Sequence, residues 1–453
     1  MKTINPTTGE VLKEYAEMRP EEITGIIERA NAAQKEWKGK SYGERAAYLI
    51  KMAEILQSRE EELSQLMALE MGKPLAQGRA EIEKCAWVCK YYAEHAESFL
   101  AIQPILTDAS KSYVSFNPLG IVLAIMPWNF PFWQLFRFLA PALMAGNGGL
   151  LKHAESVTGC ALKIEEIVHD SGISGDLFRS LLIPSSKVKP IIQHKGIAAI
   201  TLTGSTHAGK IVAAQAAEVL KKTVLELGGS DPYIILADAN IPRTAEACAT
   251  SRLTNSGQSC IAAKRFIVVE EVYDDFVAAF TKLMQAKKVG GPFDPATDVG
   301  PMARKDLRDE LHQQVQKSVE MGAHIILGGE LPEGNGAYYP PTVLTHVTEG
   351  MPAFEEELFG PVAAIIKVKT EEEAITIANG SQFGLGGAVF SENSEHAEDI
   401  AANKLEAGSC FVNEFVKSDP RLPFGGIKES GYGRELGMFG IREFVNIKTV
   451  YVK

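Results

Sequence analysis

The first hundred residues carry apolar positions at helical spacing. Between residues 21 and 103, Glu, Lys, Ala and Leu are abundant, and apolar side chains recur every three or four positions. The clearest run is formed by Ala47, Leu49, Ile50, Met52, Ala53 and Leu56. Because this period places an apolar stripe along one helix face, the segment predicts long amphipathic helices that pack against a core.

The pattern changes at residue 112, where short apolar runs begin. Tyr113, Val114 and Phe116, and then residues 121–126, predict two strands on either side of a turn at Pro118-Leu119-Gly120.

Strand-like runs then alternate with helical segments. One run ends at Lys152, others cover 198–203 and 223–227, and a second alternating stretch extends from about 231 to 412. Strands separated by helices predict an α/β fold with parallel sheets covered on both faces. Residues 444–453 predict a last strand, which needs a partner edge, and another subunit is one source of such an edge.

Length and composition narrow the classes of protein. A chain of 453 residues exceeds one ordinary core, so two or three domains are expected. The net charge of −11 disfavours nucleic acid as a partner, because an acidic surface repels phosphates. No apolar run reaches the roughly 20 residues of a membrane span, and residues 1–6 lack the apolar stretch of a signal peptide. Six cysteines are too few for a disulfide scaffold, so a cytoplasmic location is expected.

Two segments carry side chains suited to covalent catalysis. Cys260 follows the small and polar residues 255–259, so its thiol can face a cleft as a nucleophile, with a packed cysteine as the alternative. Glu226 ends an apolar strand beside Gly228 and Gly229. An apolar setting would raise the pKa of this carboxyl and suit a general base, whereas a solvated strand-end carboxylate is the alternative.

Two further segments suggest an oxyanion site and a phosphate site. Asn129 lies between two prolines where a helix can start, so its amide can serve either as an oxyanion donor or as a helix cap. Residues 201–205 lead from a strand into a helix, where phosphates bind. Residues 204–210 also fit the start of a P-loop, but Ile211 stands where that motif needs Ser or Thr. A G-x-G-x-x-G fingerprint is absent, and no H-E-x-x-H motif or Cys/His cluster predicts a metal site.

Taken together, and in the order in which they follow one another along the chain, these segments resemble the aldehyde dehydrogenase superfamily. The resemblance covers nearly the whole chain. Further matching stretches are Asn5-Pro6-Thr7-Thr8-Gly9-Glu10, Glu357-Leu358-Phe359-Gly360-Pro361, Pro423-Phe424-Gly425-Gly426-Ile427-Lys428 and Ser430-Gly431-Tyr432-Gly433-Arg434-Glu435. The resemblance implies three parts and a homodimer or homotetramer. The parts are a Rossmann-like NAD(P)-binding domain (1–108 and 121–227), a catalytic α/β domain (228–412) and a β-arm for oligomerisation (109–120 and 430–453).

Carried over residue by residue, the resemblance assigns roles in the site. Cys260 becomes the nucleophile, Glu226 the general base, and Asn129, with the backbone N–H of Cys260, the oxyanion hole. The residues implied to bind the cofactor are Trp128, Lys152, Glu155, Gly204, Ser205, Leu227, Glu357 and Phe359.

One of these residues predicts a cofactor preference. Glu155, with Lys152, matches the positions that hold the adenine ribose. A carboxylate there accepts from a 2′-hydroxyl and repels a 2′-phosphate, so NAD is expected to be preferred and NADP to remain usable through the nearby Lys152 cation.

Arg137 is the most informative residue for the substrate. It lies in the aromatic and apolar segment 130–139, where a guanidinium needs an anion. That anion is either an internal carboxylate or the carboxylate of a substrate. Residues 151–154, 300–304 and 307–312 resemble bacterial succinate semialdehyde dehydrogenases of the shorter kind, which carry an arginine at the place of Arg137. The resemblance therefore implies a substrate carboxylate, assisted by Ser418.

The chain also departs from some relatives. Thr254 stands where they carry a second arginine, so the carboxylate is expected to be held less firmly or from elsewhere. Ala262 stands where they carry a second cysteine, so a redox switch at that position is not expected.

The function implied by the resemblance is NAD(P)-dependent oxidation of an aldehyde, most specifically succinate semialdehyde, to a carboxylic acid through a thioester on Cys260. A broader enzyme for other semialdehydes or small aldehydes is the alternative within the class. A non-catalytic NAD-binding protein is the alternative outside it, and the presence of Cys260, Glu226 and Asn129 together disfavours it.

Overall fold

Parallel strands separated by helices dominate the computed structural model, which describes residues 1–453. The helices are α1 (Pro20–Trp37), α2 (Tyr42–Ser58), α3 (Glu60–Met71), α4 (Leu75–Phe99), α5 (Trp133–Met144), α6 (Thr158–Asp170), α7 (Lys189–Gln193), α8 (Thr206–Ala217), α9 (Ile241–Leu253), α10 (Tyr273–Gln285), α11 (Lys305–Glu320), α12 (Pro352–Glu355), α13 (Glu371–Asn379), α14 (Ser394–Asp399) and α15 (Gly437–Arg442). None of them is long and apolar enough to cross a membrane.

The strands form two large sheets, one small sheet and two short pairs. They are β1 (Lys2–Ile4), β2 (Val11–Glu14), β3 (Gln103–Pro104), β4 (Lys111–Pro118), β5 (Ile121–Met126), β6 (Gly148–His153), β7 (Phe178–Ser180), β8 (Ala199–Thr203), β9 (Lys222–Glu226), β10 (Pro232–Ile235), β11 (Arg265–Val269), β12 (His324–Leu327), β13 (Thr342–Thr345), β14 (Val362–Val368), β15 (Phe383–Gly384), β16 (Gly386–Phe390), β17 (Ser409–Val412), β18 (Ile427–Lys428), β19 (Gly431–Tyr432) and β20 (Val445–Val452). The strands predicted at 121–126, 198–203, 223–227 and 444–453 are all present, with ends that differ by at most one residue.

The first large sheet has six strands in the order β19-β9-β8-β5-β6-β7. The strands β5 to β9 run parallel, and β19 joins the edge antiparallel. A core of 49 buried residues, drawn largely from α2 to α6, covers one face, and α1, α7 and α8 pack on the other. Burial on both faces explains why these strands are short and almost entirely apolar.

The second large sheet has seven strands in the order β12-β13-β14-β11-β10-β16-β17, of which only the edge strand β12 is antiparallel. Two apolar clusters lie on it, one including α9 and α10 and the other including α11 and α13.

A third sheet stands apart from these two. Strand β20 pairs antiparallel with β4 over eight residues, and β3 adds to the other edge of β4. Ile447 and Tyr451 on β20, and Leu106 in the connection between β3 and β4, are exposed. Within the segment 430–453, residues 431–432 pair with β9 of the first sheet, so only the later part of that segment builds the third sheet. The division into domains stays a prediction.

The carboxyl ends of the parallel strands in the first sheet present the residues singled out in the sequence. Asn129 follows β5, Glu155 follows β6, Ser205 follows β8 and Leu227 follows β9. Ligands of doubly wound sheets bind at this edge, because the strand ends leave a crevice there.

Candidate active site

The loop that carries Cys260 has an unusual backbone. Asn255, Ser256 and Gly257 follow α9 with φ values of 55°, 55° and 77°, the left-handed region. A side chain at position 257 would also collide with the loop of residues 357–361, since a Cβ there would lie 2.3 Å from the carbonyl carbon of Gly360. Glycine is therefore required at position 257 on both counts. Nonglycine residues persist in this conformation only when the surroundings fix them.

Hydrogen bonds fix the loop on several sides. The Ser256 hydroxyl accepts from the N–H of Gly300 at 2.9 Å, and the Gln258 side-chain oxygen accepts from the N–H of Ala303 at 2.8 Å. The buried ammonium of Lys264 donates to the carbonyl oxygen of Cys260 at 2.5 Å.

Asn129 is joined to this loop by a network of buried amides. Its Nδ2 donates to the carbonyl oxygen of Gln258 at 3.1 Å, and its own carbonyl oxygen accepts from Asn255 Nδ2 at 2.7 Å. The Oδ1 atom of Asn129 has no partner. The first sheet and the loop that carries Cys260 thus meet through Asn129. The role of Asn129 as an oxyanion donor stays a prediction.

Glu81 on α4 fixes the segment between Asn129 and α5. Its carboxylate accepts from the backbone N–H groups of Phe132 and Trp133, both at 2.9 Å, and forms an ion pair with Lys73. This ion pair is fully buried, so removal of either partner would leave an uncompensated charge. Asn129 is therefore held by α4 as well as by the loop of Cys260.

Cys260 separates two cavities and lines both. The smaller has a volume of about 270 Å³ and includes Asn129 among its lining residues. The larger, of about 620 Å³, lies among α4, α5, α9 and the segment 415–418. Cys260 is half-buried and borders both cavities, so the alternative of a fully packed core cysteine is wrong.

The smaller cavity brings together six of the eight residues assigned to the cofactor. They are Trp128, Gly204, Ser205, Leu227, Glu357 and Phe359. Glu357 is fixed there by the N–H of Gly229 at 3.0 Å and by the Lys264 ammonium at 3.4 Å, and the ring of Trp128 lies edge-on to that of Phe359. Ser205 caps α8, whose first turn offers a favourable place for phosphate.

The other two assigned residues, Lys152 and Glu155, lie at the end of β6 and do not line this cavity. Ser185 ties them together. Its hydroxyl accepts from the Lys152 ammonium at 2.8 Å, and its N–H donates to the Glu155 carboxylate at 3.3 Å. Their role toward an adenine ribose stays a prediction.

The partial P-loop pattern has a different explanation. Lys210 on α8 forms an exposed ion pair with Glu429 at 2.8 Å. The lysine that would contact phosphate in a P-loop is therefore engaged in a surface ion pair.

Glu226 is buried and has no hydrogen-bond partner on either carboxylate oxygen. Burial raises the pKa of Glu226 well above its ordinary value, and the nearby Glu435 adds to this rise. Gly425 leaves the space that the carboxyl group occupies, because a Cβ at that position would lie 2.6 Å from Glu226 Oε1. The alternative of a solvated strand-end carboxylate is wrong, although neither cavity is lined by Glu226 itself.

Arg137 has an internal partner. Its buried guanidinium pairs with Glu435 and donates to the Thr203 hydroxyl at 3.1 Å. The internal-carboxylate alternative is thus observed, while Arg137 also lines the larger cavity together with Ser418. Its contact with a substrate stays a prediction.

Burial also shifts the pKa of the Cys260 thiol. It raises the pKa of Cys260 to about 12, against the lowering influence of the charges on Arg137 and Lys264. Cys260 does not lie at the start of a helix, so no helix dipole offsets this effect. This shift of the pKa favours the neutral thiol at rest.

The chain belongs to the aldehyde dehydrogenase family, whose family model matches residues 1–450. A probable succinate-semialdehyde dehydrogenase (NADP⁺) of Synechocystis sp. is 47% identical over 450 residues, which cover 99% of each chain. A succinate semialdehyde dehydrogenase (NAD(P)⁺) of Escherichia coli K12 is 46% identical over 99% of this chain and 97% of its own. The crystal structure of succinic semialdehyde dehydrogenase from Streptococcus pyogenes with NADP⁺ superposes with a TM-score of 0.97 at 39% identity, over 100% of this chain and 99% of that one. The similarity confirms the expected α/β fold of this family.

Sequence reasoning missed residues that complete the site. Lys264 holds the loop that carries Cys260, and Glu435 pairs with Arg137. Lys84 on α4 lines the larger cavity. The motif Gly431-Tyr432-Gly433-Arg434-Glu435 offered a signal for Glu435, whereas Lys84 is one of several charged residues along a helical pattern and offered none.

The neutral resting thiol leads to a test by alkylation. Because only the thiolate reacts, the rate of Cys260 modification by iodoacetamide should rise about tenfold per pH unit from pH 7 to 9. Peptide mapping by mass spectrometry separates Cys260 from the half-buried Cys410, and a Cys410→Ser variant serves as the control. A rate already independent of pH above 7 would show a resting thiolate and contradict this assignment.

Proposed function

We propose that this protein oxidises an aldehyde that carries a distant carboxylate, with succinate semialdehyde as the preferred substrate, to the corresponding acid using NAD(P). The observation that carries the proposal is the position of Cys260 between two cavities, one lined by six of the residues assigned to the cofactor and one lined by cationic side chains. The Synechocystis and Escherichia coli relatives are both named for succinate semialdehyde, which supports the choice of aldehyde.

The residues around the smaller cavity fit a dinucleotide. Glu357 offers a fixed carboxylate for ribose hydroxyls, the start of α8 suits a pyrophosphate, and Trp128 and Phe359 offer aromatic surfaces. A bound nicotinamide supplies the two-electron oxidant for the reaction.

The chain's own residues perform the covalent steps. The thiol of Cys260 releases its proton to solvent, its sulfur attacks the aldehyde carbon, and the amide of Asn129 stabilises the oxyanion that develops. Oxidation of this adduct leaves a thioester on Cys260. Glu226 takes a proton from the water that cleaves the thioester, which releases the acid and restores the thiol. Burial raises the pKa of Glu226, so the carboxyl group must first release its own proton to solvent, and the carboxylate then formed is a strong proton acceptor that suits this step.

A panel of aldehydes tests the proposal directly. We expect kcat/KM for succinate semialdehyde to exceed that for butanal, which has the same carbon chain without the carboxylate, by about tenfold or more. Measured with both cofactors, NAD should give the higher kcat/KM because Glu155 repels a 2′-phosphate. Equal use of the two aldehydes would refute the substrate class, NADP equal to NAD would refute the cofactor preference, and no reduction of either cofactor would refute an oxidoreductase.

The role of Glu226 predicts a separation of two kinetic phases. In Glu226→Gln, stopped-flow absorbance should show a burst of about one equivalent of reduced cofactor per subunit, followed by steady-state turnover slowed about 10²–10⁴-fold. The burst survives because acylation precedes the step that needs the base. Cys260→Ser should show neither phase, and a parallel loss of burst and turnover in Glu226→Gln would contradict the assignment.

We also propose that the third sheet joins two or more copies of the chain. The edge strand β20 carries Ile447, Tyr451 and Val452 in exposed positions, a surface suited to burial in an assembly.

The six cysteines are all free, which supports a reducing compartment such as the cytoplasm.

Sedimentation equilibrium tests this assembly. The mass should be at least twice the 49.2 kDa of one chain, and Ile447→Asp should shift it toward one chain by burying a charge at the contact. Ile211→Asp, at an exposed isoleucine of α8, is the matched control and should leave the mass unchanged. A wild-type protein that sediments as a single chain would refute the proposal.

A further inference from the structure

We infer that Lys84 determines specificity by binding the substrate carboxylate, in place of the second arginine that position 254 lacks. This inference rests on the proposed function and names the side chain that recognises the anionic end of the aldehyde. Lys84 lies on α4, and its ammonium reaches the larger cavity that Cys260 also lines.

The first argument is the pairing of the cations in this cavity. Four cationic residues line it, namely Lys84, Arg137, Lys287 and Lys417. Arg137 pairs with Glu435, Lys287 with Asp298 at 3.2 Å, and Lys417 with Glu414 at 3.3 Å. Lys84 forms no ion pair and donates only to the neutral hydroxyl of Ser418 at 2.8 Å. It is the lining cation whose charge the protein leaves unbalanced.

The second argument is that the carboxylates around Lys84 are already engaged. Glu81, one turn earlier on α4, binds Lys73 and the N–H groups ahead of α5. Asp419, next to Ser418, pairs with Arg421 at 2.6 Å. A carboxylate that enters the cavity therefore meets a free ammonium and the adjacent Ser418 hydroxyl, which together offer two donors.

The setting of the ammonium strengthens its interaction with an anion. It lies 4.3 Å from the centre of the Trp133 ring, and the side chain is half-buried. Burial, with a contribution from Arg137, lowers the pKa of Lys84 to about 8. A partly desolvated cation without a counter-ion gains most from an incoming carboxylate.

The experiment compares one substitution at two lysines of the same cavity. Lys84→Met should lower the ratio of kcat/KM for succinate semialdehyde over butanal by about 10- to 100-fold and leave butanal nearly unaffected. Lys287→Met is the matched control, because Lys287 already has Asp298 as its partner, and the ratio should change by less than about threefold. Calorimetry provides a readout without turnover, since Lys84→Met should weaken binding of succinate by a similar factor.

The pH dependence separates charge from packing. Because kcat/KM reports the free enzyme, the wild-type ratio should fall as pH rises above about 8, where Lys84 loses its proton. The charged or titratable groups that face it are Glu81 and Cys85 on α4, Arg137 on α5, and Asp419. Lys84→Arg should retain the preference and lose this fall, because arginine stays charged.

Three outcomes would overturn the inference. In the first, Lys84→Met lowers kcat/KM for both aldehydes equally, which indicates a structural role. In the second, Lys84→Met has the same ratio of kcat/KM values and the same succinate binding as Lys287→Met, which assigns recognition of the carboxylate to Arg137 instead. In the third, the wild type shows no preference for the semialdehyde, which refutes the proposed substrate class itself and is distinguishable from the other two.

Discussion

Three buried amide side chains hold the two halves of the site together. The side chain of Asn129, after the first sheet, donates to the backbone carbonyl of Gln258, and the side chain of Asn255 donates to the backbone carbonyl of Asn129. The side chain of Gln258 anchors the loop that carries Cys260 to the segment before α11. Because buried amides are costly to leave without partners, this network fixes the separation of the sheets more firmly than apolar contact would. The position of Cys260 between two cavities follows from it, and so does every chemical step assigned to the thiol.

Residues that recognise the substrate were harder to predict than residues that build the reaction centre. The strands at 121–126 and 223–227 were predictable because burial on both faces demands continuous apolar runs, and Cys260, Glu226 and Asn129 stood out because they break such patterns. Lys84 breaks no pattern. Its importance comes from the absence of a carboxylate partner, which only the packing of α4 against the segment 415–419 decides.

Arg137 shows why one residue can satisfy two interpretations. An arginine in an aromatic helix predicts an anion nearby, yet the sequence does not say whether that anion comes from the protein. The structure supplies Glu435, from a motif almost 300 positions away along the chain. The grouping around the smaller cavity of the residues assigned to the cofactor is more predictable, because parallel strands bring their carboxyl ends to one edge. Lys152 and Glu155 lie beyond this cavity, since β6 is displaced from it by β5.

The grouping of Glu226, Glu435 and Arg137 has a consequence for how enzymes of this architecture diverge. Two buried carboxyl groups lie near a single guanidinium, and the charge of Glu435 contributes to the proton affinity of Glu226. The strength of the proposed base is therefore adjustable from a remote segment. Evolution can retune the lifetime of the acylated protein through substitutions around position 435, while the base and the nucleophile keep their identities.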